Sequence, residues 1–300
     1  MQGLILLNKP ENITSFSAVS SIKRLAGEKR VGHTGTLDPM ATGVLPILLG
    51  RATALSSLLL DADKRYIAGI KLGVTTDTED ITGTFLTENT VNISDDELNG
   101  TLEKFVGVIK QRPPMYSALK KDGVRLYSLA RKGKTVEISE REIEIFSINL
   151  LEPLNKENCF KIEVHVSKGT YIRSLARDIG ESLGCGAVLS SLCRTYAGGF
   201  NFAECTLLDE LTKENFKNYI LDEENAVKHL RKLSVTPKQA VRFCNGGQLD
   251  IDRLHIDNLC DGELVRVKLN NLFLGIGFVD SKKNYIGIKC IINYPEGISK

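Results

Sequence analysis

The chain has 300 residues, of which 42% are hydrophobic and 25% charged, and a formal net charge of +2. This is the composition of a globular protein long enough for a large core and about two domains. The opening MQGLILLNKPEN offers only LILL before Lys9 and Glu11, which excludes a secretory leader or a membrane span. Seven Cys, an odd number, without CxxC spacing or a His-Cys cluster, read as reduced thiols of a cytosolic protein and exclude a zinc site.

Residues 3–7, GLILL, read as a short buried strand. Thr14 or Ser15 caps a helix to about Ala26, with Phe16, Val19 and Ile22 as its apolar stripe and Gly27 as its stop. The basic residues Lys23, Arg24, Lys29 and Arg30 then lead into GHTGTLDPMATGVLP, residues 32–46. This segment suits neither a regular helix nor a strand. Gly32, Gly35 and Gly43 permit backbone angles that other residues resist, and Pro39 pushes Asp38 out of the α region. The segment therefore reads as a loop of fixed shape carrying one carboxylate.

Residues 52–60 read as a helix and 65–74 as an alternating strand. TTDTEDITG (75–83) is turn chemistry. Ser94 to Glu97 spells a capping box before a helix through about Phe105, and 106–111 reads as a strand entering RPP. From 113 to 133 the pattern is irregular, basic and aromatic, with Lys120, Lys121, Arg125, Arg131, Lys132 and Lys134. Residues 142–151 and 160–166 alternate as paired strands. SKGTYIRSLARDIGESLG then switches to helical period, with Ile172, Leu175, Ile179 and Leu183 on one face. Composition shifts near 230, and the tail shows three short strands with Asn-Asn and Lys-Lys-Asn turns. Strands and helices without regular βαβ alternation predict an α+β fold with a mixed, mainly antiparallel central sheet and a small β-rich C-terminal module.

An aspartate in such a loop can serve as acid/base, metal ligand or nucleophile. No second carboxylate for an acid/base pair and no cluster of metal ligands lies within the loop, and a nucleophile would need a cation from elsewhere to keep it ionised, which position in the sequence does not identify. Arg173, where a strand passes into a helix, is a fork able to grip a carboxylate; on its own helix face it has Asp178 and Glu181 as alternative partners. Tyr66 follows Lys64 and Arg65, an arrangement suited to stacking on a base whose phosphates the cations hold, and equally to a half-buried strand position. TDTED lacks the spacing of a calcium loop, and a turn with Asp80 pairing to a lysine is the better reading. No GxxxxGK[ST] loop is present. Local basic clusters on a near-neutral chain point to a nucleic-acid partner.

LLNKP (6–10), KRVGHTGTLDPMATGVLPILLG (29–50), DKRYIAGIKLGVTTDTEDITG (63–83), QRPPMYSALKKDGVRLY (111–127) and SKGTYIRSLARDIG (167–180) follow one another in an order that resembles the bacterial tRNA pseudouridine-55 synthases, the TruB family. The match is strong over about 3–200 and weak over the tail. The resemblance implies a cytoplasmic, monomeric enzyme with the pseudouridine synthase fold (1–230), an RNA-gripping insertion at about 113–140 and a PUA-like RNA-binding module (231–300). It implies conversion of uridine 55 in the tRNA T-arm stem-loop to pseudouridine, with no cofactor, metal or membrane. Asp38 matches the catalytic aspartate. Tyr66 matches the tyrosine that stacks on the flipped base and serves in the closing deprotonation, and Arg173 the arginine that pairs with the aspartate. His33 matches the histidine that displaces the target base. Tyr171 and Leu192 match pocket residues, and Lys9 and Asp80 a supporting pair. No matched position is substituted; only the tail departs from the pattern.

A folded T-loop hides its bases, so such an enzyme must extrude one, at a cost of a few kcal/mol. Attack of the carboxylate at C1′ or at C6 would give a covalent intermediate, and elimination through a glycal is a third route. Free uracil must not escape, which calls for a closed apolar pocket with walls expected from 5–7, Leu45 and Leu192.

Overall fold

The computed structural model describes residues 1–297 except 118, 122, 131, 132, 134, 135 and 255. The chain runs β1 (Gly3–Lys9), α1 (Ser15–Ala26), β2 (Val31–His33), β3 (Thr42–Leu49), α2 (Ser56–Leu60), β4 (Lys64–Leu72), β5 (Val74–Thr76), β6 (Phe85–Glu88), α3 (Asp95–Glu103) and β7 (Gly107–Gln111). It continues with β8 (Lys120–Lys121), β9 (Val124–Arg125), α4 (Leu126–Ala130), β10 (Arg141–Glu152), β11 (Cys159–Val166), α5 (Ile172–Ser182), β12 (Ala187–Ala197), β13 (Phe200–Asn201) and β14 (Thr206–Leu207). The last third holds β15 (Arg231–Ser234), α6 (Pro237–Cys244), β16 (Leu249–Asp250), β17 (Leu264–Leu269), β18 (Leu272–Asp280) and β19 (Tyr285–Ile291).

A 10-stranded sheet of order β14-β1-β3-β12-β4-β11-β10-β7, with β2 and β13 beside β3 and β12, forms the frame. Within this sheet, among the described residues, only β1·β14 and β12·β3 are parallel. The expected α+β class and mainly antiparallel sheet hold. Successive side chains of β1 alternate between faces, as pleating demands. Ile5 and Leu7 join the core beneath α1, α3 and α5, while Leu4 and Leu6 join a second core on the other face. A five-stranded sheet, order β15-β17-β18-β19-β16, supplies Phe273 and Ile276 to that second core.

Local chemistry explains most boundaries. Thr14, not Ser15, caps α1: its Oγ1 accepts from Ser17 N at 3.0 Å, and Gly27 closes the helix in the left-handed region at φ 60°. The Ser94–Glu97 capping box forms in both directions. The Asn-Asn turn joins β17 to β18 with Asn270 at φ 54°, and Asn284 at φ 55° closes the turn between β18 and β19.

Three expectations are corrected. The loop of 32–46 ends early: from Thr42 the chain is strand β3, paired with β1 from Gly3↔Leu49 to Lys9↔Gly43. Its apolar run was long enough to be a central strand, and Pro46 still offers the carbonyl that Thr34 N bonds at 3.2 Å. The helix of 52–60 is a 3₁₀ turn, Gly50–Leu55, followed by the short α2. The tail carries five strands and a helix, because the two-residue β16 and the four-residue β15 are too short to show alternation. Of the basic cluster near 120–134, Arg131, Lys132 and Lys134 lie outside the described residues.

Candidate active site

The loop between β2 and β3 is fixed from several sides. Ser15 Oγ accepts from Leu37 N at 2.9 Å and donates to Leu37 O at 3.1 Å. Asn12 N donates to Pro39 O at 2.8 Å, and Ala41 N to Asp38 O at 3.0 Å. Lys9, fully buried, donates to Pro10 O and Ile13 O at 2.8 Å each and to Pro39 O at 3.2 Å. Burial lowers its pKa to about 8, with Asp38 and Glu11 resisting the shift. Gly43 sits at φ 104°, and a Cβ there would lie 2.2 Å from Arg194 O, so β3 and β12 approach only around a glycine. Asp38 is thus presented by a backbone that cannot relax.

Arg173 meets it from the first turn of α5. Its Nε lies 2.9 Å from Asp38 Oδ2, and its Nη2 donates to Asp38 Oδ1 at 3.0 Å. The remaining donors serve Thr78 O at 3.1 Å and Tyr116 O at 2.8 Å. The Arg173 side chain is 7% exposed and that of Asp38 32%, so the cation is enclosed while the carboxylate still faces open space. Burial pushes the Asp38 carboxyl above its ordinary value; Arg173 opposes that most strongly, Asp80 adds to it, and Lys9 draws it back. The helix-face partners considered for Arg173 belong instead to Arg177, which bonds Asp178 Oδ1 at 2.9 and 2.7 Å and also pairs with Glu79.

Asp38, Tyr66, Tyr171, Arg173 and Leu192 line one cavity of about 310 Å³. Tyr66 and Leu192 come from the neighbouring central strands β4 and β12, both nearly buried. Tyr171 is the residue before α5; its N accepts no helical role and donates to Gln111 Oε1 at 2.9 Å, while Gln111 Nε2 returns to Tyr171 O at 3.1 Å. Burial raises the Tyr171 pKa. Asp80 touches the site through Arg173 Nη1 at 3.7 Å, and its Oδ1 accepts from Thr78, Thr82 N and Thr82 Oγ1.

Several expectations change. Lys9 and Asp80 do not pair with each other: Lys9 is committed to the carbonyls of Pro10, Ile13 and Pro39, and Asp80 is satisfied within its own turn and by Arg173. Nor does Asp80 pair with any other lysine among the described residues. His33 lies in β2, outside the cavity lining, two residues before Gly35. Of the expected walls only Leu192 lines the cavity; residues 5–7 and Leu45 point into the cores above and below their sheet, and Leu37, Leu60 and Ile172 take their place. Gly32 needs no left-handed angle, unlike Gly35 and Gly43.

Sequence reasoning missed Arg194, Gln111 and the Arg177–Glu79 pair. Arg177 was legible as the i+4 neighbour of Arg173. Arg194 and Gln111 gave no local signal, since their partners come from distant segments.

Two family profiles match the chain: "TruB family pseudouridylate synthase (N terminal domain)" over residues 23–172 and "tRNA pseudouridylate synthase B C-terminal domain" over 173–237. A tRNA pseudouridine synthase B of Alkaliphilus oremlandii is 41% identical over 96% of this chain and 97% of its own length. One of Francisella tularensis is 48% identical over 75% of this chain and 74% of its own. Among solved structures, a Cbf5-Nop10-Gar1 complex contains a chain that superposes with TM-score 0.75 at 28% identity, covering 97% of this chain and 85% of that one. An H/ACA RNP bound to a substrate RNA containing 2'-deoxyuridine gives TM-score 0.74 at 26% identity, covering 98% and 87%.

Proposed function

This chain belongs to the TruB family of pseudouridylate synthases, and we propose that Asp38 and Arg173 are the centre of its chemistry on uridine 55 of the tRNA T-loop. The enzyme is an isomerase. The N1–C1′ glycosidic bond breaks, the uracil turns, and C5 bonds to C1′; the C5 proton leaves and N1 gains one. Every electron pair stays within substrate and carboxylate, so the reaction as written asks for no cofactor or metal.

The observation that carries this reading is the doubly bonded Asp38–Arg173 pair at the wall of a cavity large enough for a base. Arg173 favours the ionised carboxylate, and the loop contacts through Ser15, Asn12 and Lys9 hold it in place. Tyr66 is the face on which the extruded uracil stacks, and Tyr171 and Leu192 complete its pocket. Lys9 and Asp80 position the two partners, and His33 acts outside the cavity on the loop from which the base leaves. The segment of 113–140, basic in sequence and joined to the site where Arg173 donates to the Tyr116 carbonyl, grips the RNA. Residues 1–230 form the catalytic part, 231–300 add RNA contacts, and the enzyme works as a cytoplasmic monomer.

The test is a T-arm stem-loop RNA incubated with the protein and mapped for pseudouridine by carbodiimide-blocked primer extension. A single stop at position 55, absent when that uridine is cytidine, is the expected result. Modification at other positions would overturn the assignment of site. Bound but unmodified RNA would make the loop a binding scaffold.

A further inference from the structure

The cavity holds two more cations than the isomerisation uses. Arg194 on β12 is 1% exposed and Lys64 on β4 is 8% exposed, and both line the same cavity as Asp38. Among the described residues neither makes an ion pair. Arg194 donates from Nε to Val44 O at 2.7 Å and from Nη2 to Gly35 O at 3.2 Å. Lys64 donates to Leu60 O at 3.0 Å and to Ala62 O. That leaves Arg194 Nη1, one Nη2 hydrogen and one Nζ hydrogen without a protein acceptor among the described residues. Gly35 sits beside them at φ 111°. A Cβ there would lie 3.3 Å from Arg194 Nη1 and 3.9 Å from Lys64 Cε, so a glycine leaves the space beside this nitrogen on the cavity side unfilled.

A buried cation facing another cation is expensive. Burial, and then Arg194, lower the Lys64 pKa to about 8 against the resistance of Asp63 and Asp61. Arg194 acts in the same direction on Lys9 and His33. An anion placed between Arg194 and Lys64 would offset these costs and use the free donors, and a phosphodiester oxygen pair fits a guanidinium edge and an ammonium.

We propose that Arg194 and Lys64 form a phosphate subsite that holds a phosphate flanking the extruded uridine. This rests on the reading above that a nucleotide of tRNA enters the cavity. The subsite couples the backbone of the flipped nucleotide to the base pocket: Lys64 lies two residues from Tyr66, and Arg194 is Tyr66's register partner across the sheet. A phosphate held there fixes where the sugar's C1′ stands relative to Asp38.

The experiment uses the full chain and T-arm stem-loops in which one linkage is an uncharged methylphosphonate: 5′ of the target uridine, 3′ of it, or in the stem. KM is measured for each with wild type, with Lys64→Gln and with Lys64→Arg. One flanking substitution should raise the wild-type KM about tenfold or more, the loss expected for a charge-assisted contact, and the stem substitution much less. In Lys64→Gln the same substitution should cost far less, because the contact is already gone, while Lys64→Arg retains the penalty. If neither flanking linkage costs more than the stem control in wild type, the subsite is wrong, whatever the variants do. The unsubstituted RNA in the same assay separates this from the proposed function: turnover there with no linkage effect refutes the subsite alone, and no turnover refutes the function.

Discussion

Arg173 grips both carboxylate oxygens of Asp38, Nε to Oδ2 at 2.9 Å and Nη2 to Oδ1 at 3.0 Å, across 135 residues of sequence. The same guanidinium bonds the carbonyls of Thr78 and Tyr116. One side chain therefore ties together the Asp38 loop, the 75–83 turn and the start of the 113–140 segment. Replacing Arg173 by Ala should cut kcat by roughly 10²–10³, the loss typical of one preorganised electrostatic partner, and change RNA affinity much less. Single-turnover rates beside equilibrium binding check this; equal losses in both would contradict a role at Asp38.

The pH profile follows from the same pair. In the proposed reaction Asp38 acts as the ionised carboxylate, and its pKa lies above the ordinary carboxylate value because burial and Asp80 outweigh Arg173 and Lys9. Turnover should therefore fall as pH drops through a point higher than that of a solvated aspartate. Arg173→Gln removes the strongest opposing influence, so its acid limb should move to still higher pH. A limb left in place in that variant would show that another group sets it.

Arg177 holds the 75–83 turn by pairing with Glu79, whose other oxygen accepts from Ser174 Oγ at 2.8 Å. The turn is also bonded to β12, Ile81 N to Leu189 O at 2.9 Å and Leu189 N to Glu79 O at 3.1 Å. Arg177→Met breaks a mostly enclosed pair and should lower stability by about 3 kcal/mol, the low end of the range for losing one partner of a buried pair. Urea unfolding with an unchanged m-value measures it, and a shift below about 0.5 kcal/mol, the range of ordinary surface changes, would mark the pair as incidental.

The C-terminal sheet shares a hydrophobic core with the large sheet. Phe273, Ile276 and Ile292 pack with Leu4, Leu6, Val44 and Leu48 in one core. Gln2 Nε2 donates to both Glu223 and Asn293 at 2.7 Å, and Arg266 Nη1 donates to Glu224 Oε1 at 2.6 Å. A chain ending near 231 should expose that core and aggregate, instead of folding as an intact catalytic part. A monomeric, cooperatively unfolding truncation would show the shared core to be dispensable.

Sequence made the frame and the key carboxylate legible where the signal is local. Alternation marked the strand around Tyr66, helical period marked α5, and glycine and proline marked the Asp38 loop. The resemblance supplied Arg173 as its partner, which spacing alone left open beside Asp178 and Glu181. What stayed hidden depends on contacts between distant segments. Lys9 serves the carbonyls of Pro10, Ile13 and Pro39 and not Asp80, Arg194 sits in a strand whose other inward residues are apolar, and Gln111 finds Tyr171 across 60 residues. The strand β3 was misread because its glycine and proline disguise a central strand, whose pairing with β1 only the fold reveals.

The central claim is that Asp38 drives an isomerisation that rejoins the uracil through C5. The direct measurement uses tRNA transcript carrying tritium at uracil C5, incubated with wild type and with Asp38→Asn. Rejoining through C5 must release the tritium of the target uridine to water. Release stoichiometric with tRNA is expected for wild type and none for Asp38→Asn, with both proteins binding the RNA. Release by Asp38→Asn at the wild-type rate, or none by wild type with tRNA bound, would contradict it.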